Sequence, residues 1–180
     1  MPDIEVGSTT NAADISRSLL DAWNSRDLDG FVQLLSEDVQ WYDPAMPQPP
    51  IHGRAAVMEF AEAVIEAFPD FRYEVDPPIC VSPDGSRCAI VWRISATHMK
   101  PLRPLGFAPT GRRATFDGVD VVDVRAGKVV RIQTAFDAIS AAEQLLGVSL
   151  RPRPGTWHAR IAVAVQRIAA WISRRGRRTV

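Results

Sequence analysis

Residues 116–136 read FDGVDVVDVRAGKVVRIQTAF. Two runs rich in Val and Ile flank Ala126-Gly127, where the glycine is free to take positive φ. Alternating apolar and polar residues about such a turn predict a β-hairpin. One face carries Phe116, Gly118, Asp120, Val122 and Val124, then Val130, Ile132, Thr134 and Phe136. Nearly all of that face is apolar, so it should look into a core or a pocket. Asp120 and Thr134 are the exceptions. Each lies seven residues from Gly127, and reflection about a turn centred there sets them opposite one another. A carboxylate on an oily face is costly to ionise unless something pairs with it. Asp120 is therefore either a functional group or a residue that stays solvated at a rim or bonds Thr134 structurally.

The strand before the hairpin extends the same surface. Cys88, Ile90, Trp92, Ile94, Ala96 and His98 share one face of a run from Cys88 to His98. His98 thus continues an apolar row beside Asp120, as a pocket residue or as a strand-end residue half in water. Upstream, a strand over Phe71 to Val81 precedes a turn at Pro83-Asp84-Gly85. Downstream, a short helix from about Ile139 to Leu146 ends at Gly147.

The N-terminal half reads as helical. Asn11 or Asp14 caps a helix to about Arg26, with Ile15, Leu19, Leu20 and Trp23 on one face. A second runs from Leu28 to about Leu35, and a third from Gly53 to Phe68 with Val57, Phe60, Ala61, Val64, Ile65 and Phe68 inward. Between them, Val39 to Tyr42 is a brief strand broken by Asp43-Pro44. The segment PAMPQPPIHG is a rigid loop, because its prolines remove donors and fix φ. MKPLRPLGFAPTG is a loop over one end of the sheet. Three helices followed by a meander of long strands predict an α+β fold, with helices on one face of a curved antiparallel sheet that encloses a pocket.

The chain of 180 residues has no formal net charge, yet the charges are segregated. Residues 151–180 hold eight Arg and no acid, leaving the remainder at −8. A flexible leader (1–10), a pocket domain (11–150) and an Arg-rich tail (151–180) follow from this and from the helix pattern. In the tail, Trp157, Ile161, Val165, Ile168 and Ile172 recur at helical spacing, with Arg160, Arg167 and Arg174 on another side. The stripe should pack on the acidic body or on a second subunit. A basic amphipathic helix over 156–175 can also touch an anionic membrane surface weakly. Nucleic acid is not expected as a partner. Cys80 and Cys88 fit two buried thiols of a reducing cytoplasm. The N-terminus has no apolar signal core, and no run approaches a membrane span.

Phosphate loops, dinucleotide fingerprints, HExxH and G-x-S-x-G are missing from the sequence, and His52, His98 and His158 lack ligand spacing. No cofactor and no metal are expected.

Several segments, in order, carry a family resemblance: WYDPA, HGRAAV, LGFAPTG, AGKVV and the closing QLLG. Residues 11–150 resemble the SnoaL-like polyketide cyclases of the nuclear transport factor 2-like superfamily. The resemblance implies a cone of curved sheet and helices around a pocket, often paired as a homodimer. It also implies a cofactor-free intramolecular aldol condensation that closes a polyketide ring. The founding cyclases place a histidine before the turn and an aspartate after it. Aligned on Gly127-Lys128, those positions hold Asp120 and Thr134 here. Asp137 matches an acid of many relatives, although alternation points it to the other face.

The combined expectation is an acid/base enzyme acting on a hydrophobic carbonyl compound. Asp120 would be the general base, His98 the donor to the developing enolate and Thr134 the residue orienting Asp120. Trp41, Asp43, Trp92, Phe116 and Phe136 would hold the substrate. The alternative is a non-catalytic ligand-binding or scaffolding member of the same fold.

Overall fold

The computed structural model describes residues 11–46, 49–104, 106–149, 151 and 154–176. The expected leader and the last four residues lie outside the described residues, as do the side chains of His158, Ile172 and Arg174. The chain divides into two compact units, Met1–Gly147 and Val148–Val180.

Helix α1 spans Ala12–Ser25, and the Asn11 side chain caps it by accepting from the Ala13 and Asp14 amides. Its apolar stripe, Ile15, Leu19, Leu20 and Trp23, is buried as the spacing predicts. A second helix, α2 (Leu28–Gln33), is shorter than expected. The chain turns into strand β1 (Leu35–Tyr42) at Leu35, four residues before the expected Val39. The cause is tertiary. Leu35 pairs with a strand of the distant hairpin and is fully buried there, and that contact overrides local helix propensity. Ile51–His52 forms a two-residue edge strand, β2, against Gln40 and Trp41, so the Pro-rich stretch is not wholly loop. Helix α3 follows at once, Gly53–Ala67.

Strands β3 (Arg72–Val81), β4 (Arg87–Thr97), β5 (Arg113–Arg125) and β6 (Lys128–Phe136) then complete a six-stranded sheet of order β2-β1-β6-β5-β4-β3. The sheet is antiparallel except that β1 runs parallel to β6. That one pair corrects the expectation of a wholly antiparallel sheet. It arises because β1 joins the sheet beside the last strand, β6, while β3 lies at the opposite edge. Helix α4 (Ala138–Leu146) closes the unit, capped at its start by the Asp137 side chain and at its end by Gly147 at φ 71°.

The hairpin forms as the sequence predicts, with one irregularity that moves a residue. Ala126 (φ 48°) and Gly127 (φ 73°) make a two-residue turn with both φ positive, the form that matches strand twist. Register shifts between Asp123 and Val124. The β-bulge puts Val129 in the core, where Val130 was expected.

Cys88 is buried against Ser16, whereas Cys80 is exposed. This corrects the expectation of two buried thiols. Cys80 follows a register break in the edge strand β3, where the outer half of the strand has lost its cover. In the second unit, helix α5 spans Trp157–Gly176, and Ile161, Val165 and Ile168 on its apolar stripe are exposed. Among the described residues no helix is long and apolar enough to cross a membrane.

Candidate active site

The inward face of β4 is buried without interruption from Cys88 to His98. At its far end the His98 amide donates to the Arg112 carbonyl at 2.9 Å, and its own carbonyl accepts from Gly111. The ladder therefore carries the imidazole one residue past the assigned strand. Trp92, in mid-strand, pairs with Gly118 on β5. A Cβ at Gly118 would lie 2.2 Å from the Trp92 ring. Glycine there lets the indole lie flat across the neighbouring strand. Phe116 and Phe136 stack beside it with centroids 5.0 Å apart.

These side chains, with Trp41, with Phe60 and Val64 of α3 and with Phe68 just past its end, enclose a cavity of about 310 Å³ in the first unit. Its walls are overwhelmingly apolar, and such a cavity suits a flat, oily ligand. Leu102, Arg103, Pro104 and Phe107 of the loop after β4 also line it. An ion pair between Arg103 and Glu66 ties that loop to α3.

Few polar groups reach the cavity. Asp43 follows the end of β1, where its Oδ1 accepts from the Ala45 amide at 2.7 Å and so shapes the turn. Burial pushes its carboxyl up to about 6, partly offset by that amide. His98 is stacked obliquely on Phe68, with centroids 5.3 Å apart. Its ring nitrogens make no well-aligned hydrogen bond, and the nearest polar influence on them is the backbone at Lys100. Burial lowers the imidazole pKa, and the backbone at Lys100 offsets part of this, so the neutral ring is favoured. Thr134 lines the cavity and accepts a hydrogen bond from Trp41 Nε1 at 3.0 Å.

Seven of the eight residues singled out from the sequence line this cavity: Trp41, Asp43, Trp92, His98, Phe116, Thr134 and Phe136. Asp120 does not. It pairs with Thr134 across the hairpin, as reflection predicted, but borders a small void among Leu19, Leu20, Phe31 and Ile132. At this level α1 and α2 cover the sheet, so the inward face points into the helix layer rather than into the cavity. Desolvation raises the Asp120 carboxyl to about 7, while the Thr134 hydroxyl and Trp92 indole, as hydrogen-bonding neighbours, pull it down. The Trp92 N–H and Asp120 Oδ1 still lack a formed hydrogen bond.

Sequence reasoning missed Trp23, Tyr73 and Phe60 as cavity residues. Trp23 and Phe60 did stand out as apolar helix positions, and only the sheet's curvature separates a core face from a cavity wall. Among the described residues no cluster of three or more His, Cys, Asp or Glu could hold a metal.

Comparison with known proteins agrees with this architecture. A protein assigned as a polyketide cyclase from Pseudomonas putida KT2440 superposes with TM-score 0.66 at 21% identity, covering 76% of this chain and 98% of that one. AclR from Streptomyces galilaeus, assigned as a hydroxylase, gives 0.61 at 26% identity over 76% and 96%. IdmH from Streptomyces antibioticus, assigned as a polyketide cyclase, gives 0.59 at 25% over 76% and 98%. No curated protein sequence matches the chain. The fold is the nuclear transport factor 2-like one. The SnoaL-like domain profile matches residues 16–132, and the chain belongs to that family.

Proposed function

We propose that the cavity is a cofactor-independent acid/base site for a hydrophobic carbonyl compound, of the kind a polyketide cyclase closes into a ring. The observation that carries this reading is Asp43, a buried carboxyl on an apolar cavity, poised at about 6 by desolvation. A carboxylate so placed is ionised near neutrality yet more basic than a solvated one, which suits removal of a proton beside a carbonyl. A neutral His98, whose ring lines the cavity, offers a ring N–H to the oxygen on which negative charge develops, in exchange for its interaction with the backbone at Lys100. The enolate carbon then attacks a second carbonyl of the same molecule, whose π bond opens to an alkoxide that takes back the proton held by Asp43, while the aromatic walls hold the two ends together.

Asp120 was expected to be the base. Its place behind Thr134 favours Asp43 for that role. Proteins similar in fold to this chain and assigned as polyketide cyclases, IdmH among them, make ring closure the leading chemistry. Incubation with 2-tetralone in deuterium oxide tests the proposal without the natural substrate. Deuterium should enter beside the carbonyl faster than in buffer, and Asp43→Asn should remove at least tenfold of the excess rate. Equal rates in both proteins would count against it.

A second reading, ligand binding without turnover, draws on Thr134, which stands where the founding cyclases carry an aspartate. Tight binding of 2-tetralone with no exchange in the wild-type protein would favour it.

A further inference from the structure

Thr134 is held from two sides, and proton counting at its hydroxyl leads beyond the assignment of Asp43. A hydroxyl has one proton and two lone pairs. Trp41 Nε1 can only donate, and it occupies one lone pair at 3.0 Å. On the neighbouring strand Asp120 is the direct cross-strand partner of Thr134 and is a hydrogen-bonding neighbour of the hydroxyl. What remains for the cavity is one position, and its character depends on Asp120.

We infer that Asp120 is a positioning residue that sets the hydrogen-bond polarity Thr134 presents to the ligand. An ionised Asp120 can only accept, so it draws the hydroxyl proton. The second lone pair of Thr134 is then left for a donor on the ligand, an enol or hydroxyl. A protonated Asp120 donates to Thr134 and fills that lone pair. The hydroxyl proton is then released toward the cavity, where it suits a ligand carbonyl or oxyanion. No atom need move by more than a rotation about the Thr134 C–O bond.

The surroundings let this carboxyl take either form. Asp120 is almost fully buried, and burial holds it near neutrality. The titratable groups that share its electrostatics are Asp43 beyond the end of β1, Tyr73 on β3 and Cys88 on β4. Leu19, Leu20 and Trp23 of α1, Phe31 of α2, Trp41 of β1 and Ile132 of β6 complete the shell of the void it borders and do not titrate in this range. Among the described residues, no cation contributes to its pKa. The inference rests on the proposed carbonyl-binding cavity and deepens it: the ligand class is one that interconverts between ketone and enol, and Thr134 favours one form or the other as Asp120 gains or loses its proton.

Three neutral probes test this on the full-length protein: naphthalene, 2-acetonaphthone as a carbonyl acceptor and 2-naphthol as a hydroxyl donor. Their dissociation constants are measured by calorimetry at about pH 5 and about pH 8, on either side of the titration. In the wild type, the preference for ketone over naphthol should fall about three- to tenfold as pH rises, the size of one hydrogen bond exchanged. Asp43 titrates at the same cavity, so the decisive comparison is with Asp120→Asn, which keeps Asp43 and should lose most of that change. Thr134→Ser should retain it and Thr134→Val abolish it. A merely structural Asp120 would alter all three affinities together and leave the pH dependence of their ratio alone. Persistence of the wild-type change in Asp120→Asn or Thr134→Val, with naphthalene still bound, overturns the inference and leaves the cavity assignment standing. If naphthalene fails to bind the wild type, the cavity assignment falls and the inference with it.

Discussion

Asp120 on β5 and Thr134 on β6 face one another because a bulge lies between them and the turn. The two-residue turn pairs Arg125 with Lys128 and Val124 with Val129. Beyond the bulge the register is displaced by one, setting Asp123 against Arg131 and Asp120 against Thr134. Continued without the bulge, the first register would have put Asp120 opposite Gln133, which points to the exposed face. The bulge thus turns two polar residues inward together. Burial of the pair, its coupling to Trp41 and the raised carboxyl all depend on that one extra residue.

Burying Asp120 has a pH-dependent cost. Its folded pKa, about 7, lies above the ordinary carboxyl value of 3.8, so between those values the folded protein binds a proton that the unfolded chain does not. Stability from this group is fully present below about pH 4 and is lost as pH rises through about 7. Asp120→Asn removes the titration. Its stability relative to wild type should improve by a few kcal/mol, to order of magnitude, between about pH 4 and about pH 8. Urea unfolding of both proteins at the two pH values measures this. A difference that does not change with pH would contradict the assigned shift.

Gly118 predicts a steric effect. The Trp92 ring would lie 2.2 Å from an added Cβ, and Trp92 is 1% exposed, so the ring can yield only toward the cavity it lines. Gly118→Ala should cost about 1–3 kcal/mol and tilt the indole into the cavity. Chemical unfolding followed by tryptophan fluorescence would show both. An alanine variant of wild-type stability would mean that the ring relaxes freely.

The hairpin turn predicts a gain. Ala126 sits at φ 48°, a conformation disfavoured for a residue with a Cβ. Ala126→Gly should stabilise the protein by about 0.5–1 kcal/mol if relief of strain exceeds the added freedom of the unfolded chain. A rise in Tm of a few degrees is the expected outcome. A fall would show that unfolded-state entropy dominates at this turn.

Local patterns made much of this legible. Alternation placed Trp92 and His98 on one row, helical spacing found the buried face of α1, and reflection about Gly127 paired Asp120 with Thr134. Reflection succeeded because the bulge supplied the same offset that a turn centred on Gly127 implies, although the turn itself lies between Ala126 and Gly127. The same bulge misled the reading of Val129 and Val130. Periodicity assigns a face but not its cover, so it could not distinguish Thr134, at the cavity, from Asp120, behind it. That difference depends on where α1 and α2 end against the sheet. Asp43 was legible as a residue ending a strand, but its desolvation depends on its enclosure in a cavity lined by segments distant in sequence.

The measurement closest to the central claim is the pH profile of deuterium exchange into 2-tetralone, followed by NMR with wild-type protein and with Asp43→Asn. If Asp43 is the base, the excess rate should rise with pH through an inflection near 6, where its carboxyl ionises, and then level off. Asp43→Asn should lose both the excess rate and the inflection. An inflection that survives in Asp43→Asn, or wild-type exchange no faster than in buffer across the range, would contradict the assignment.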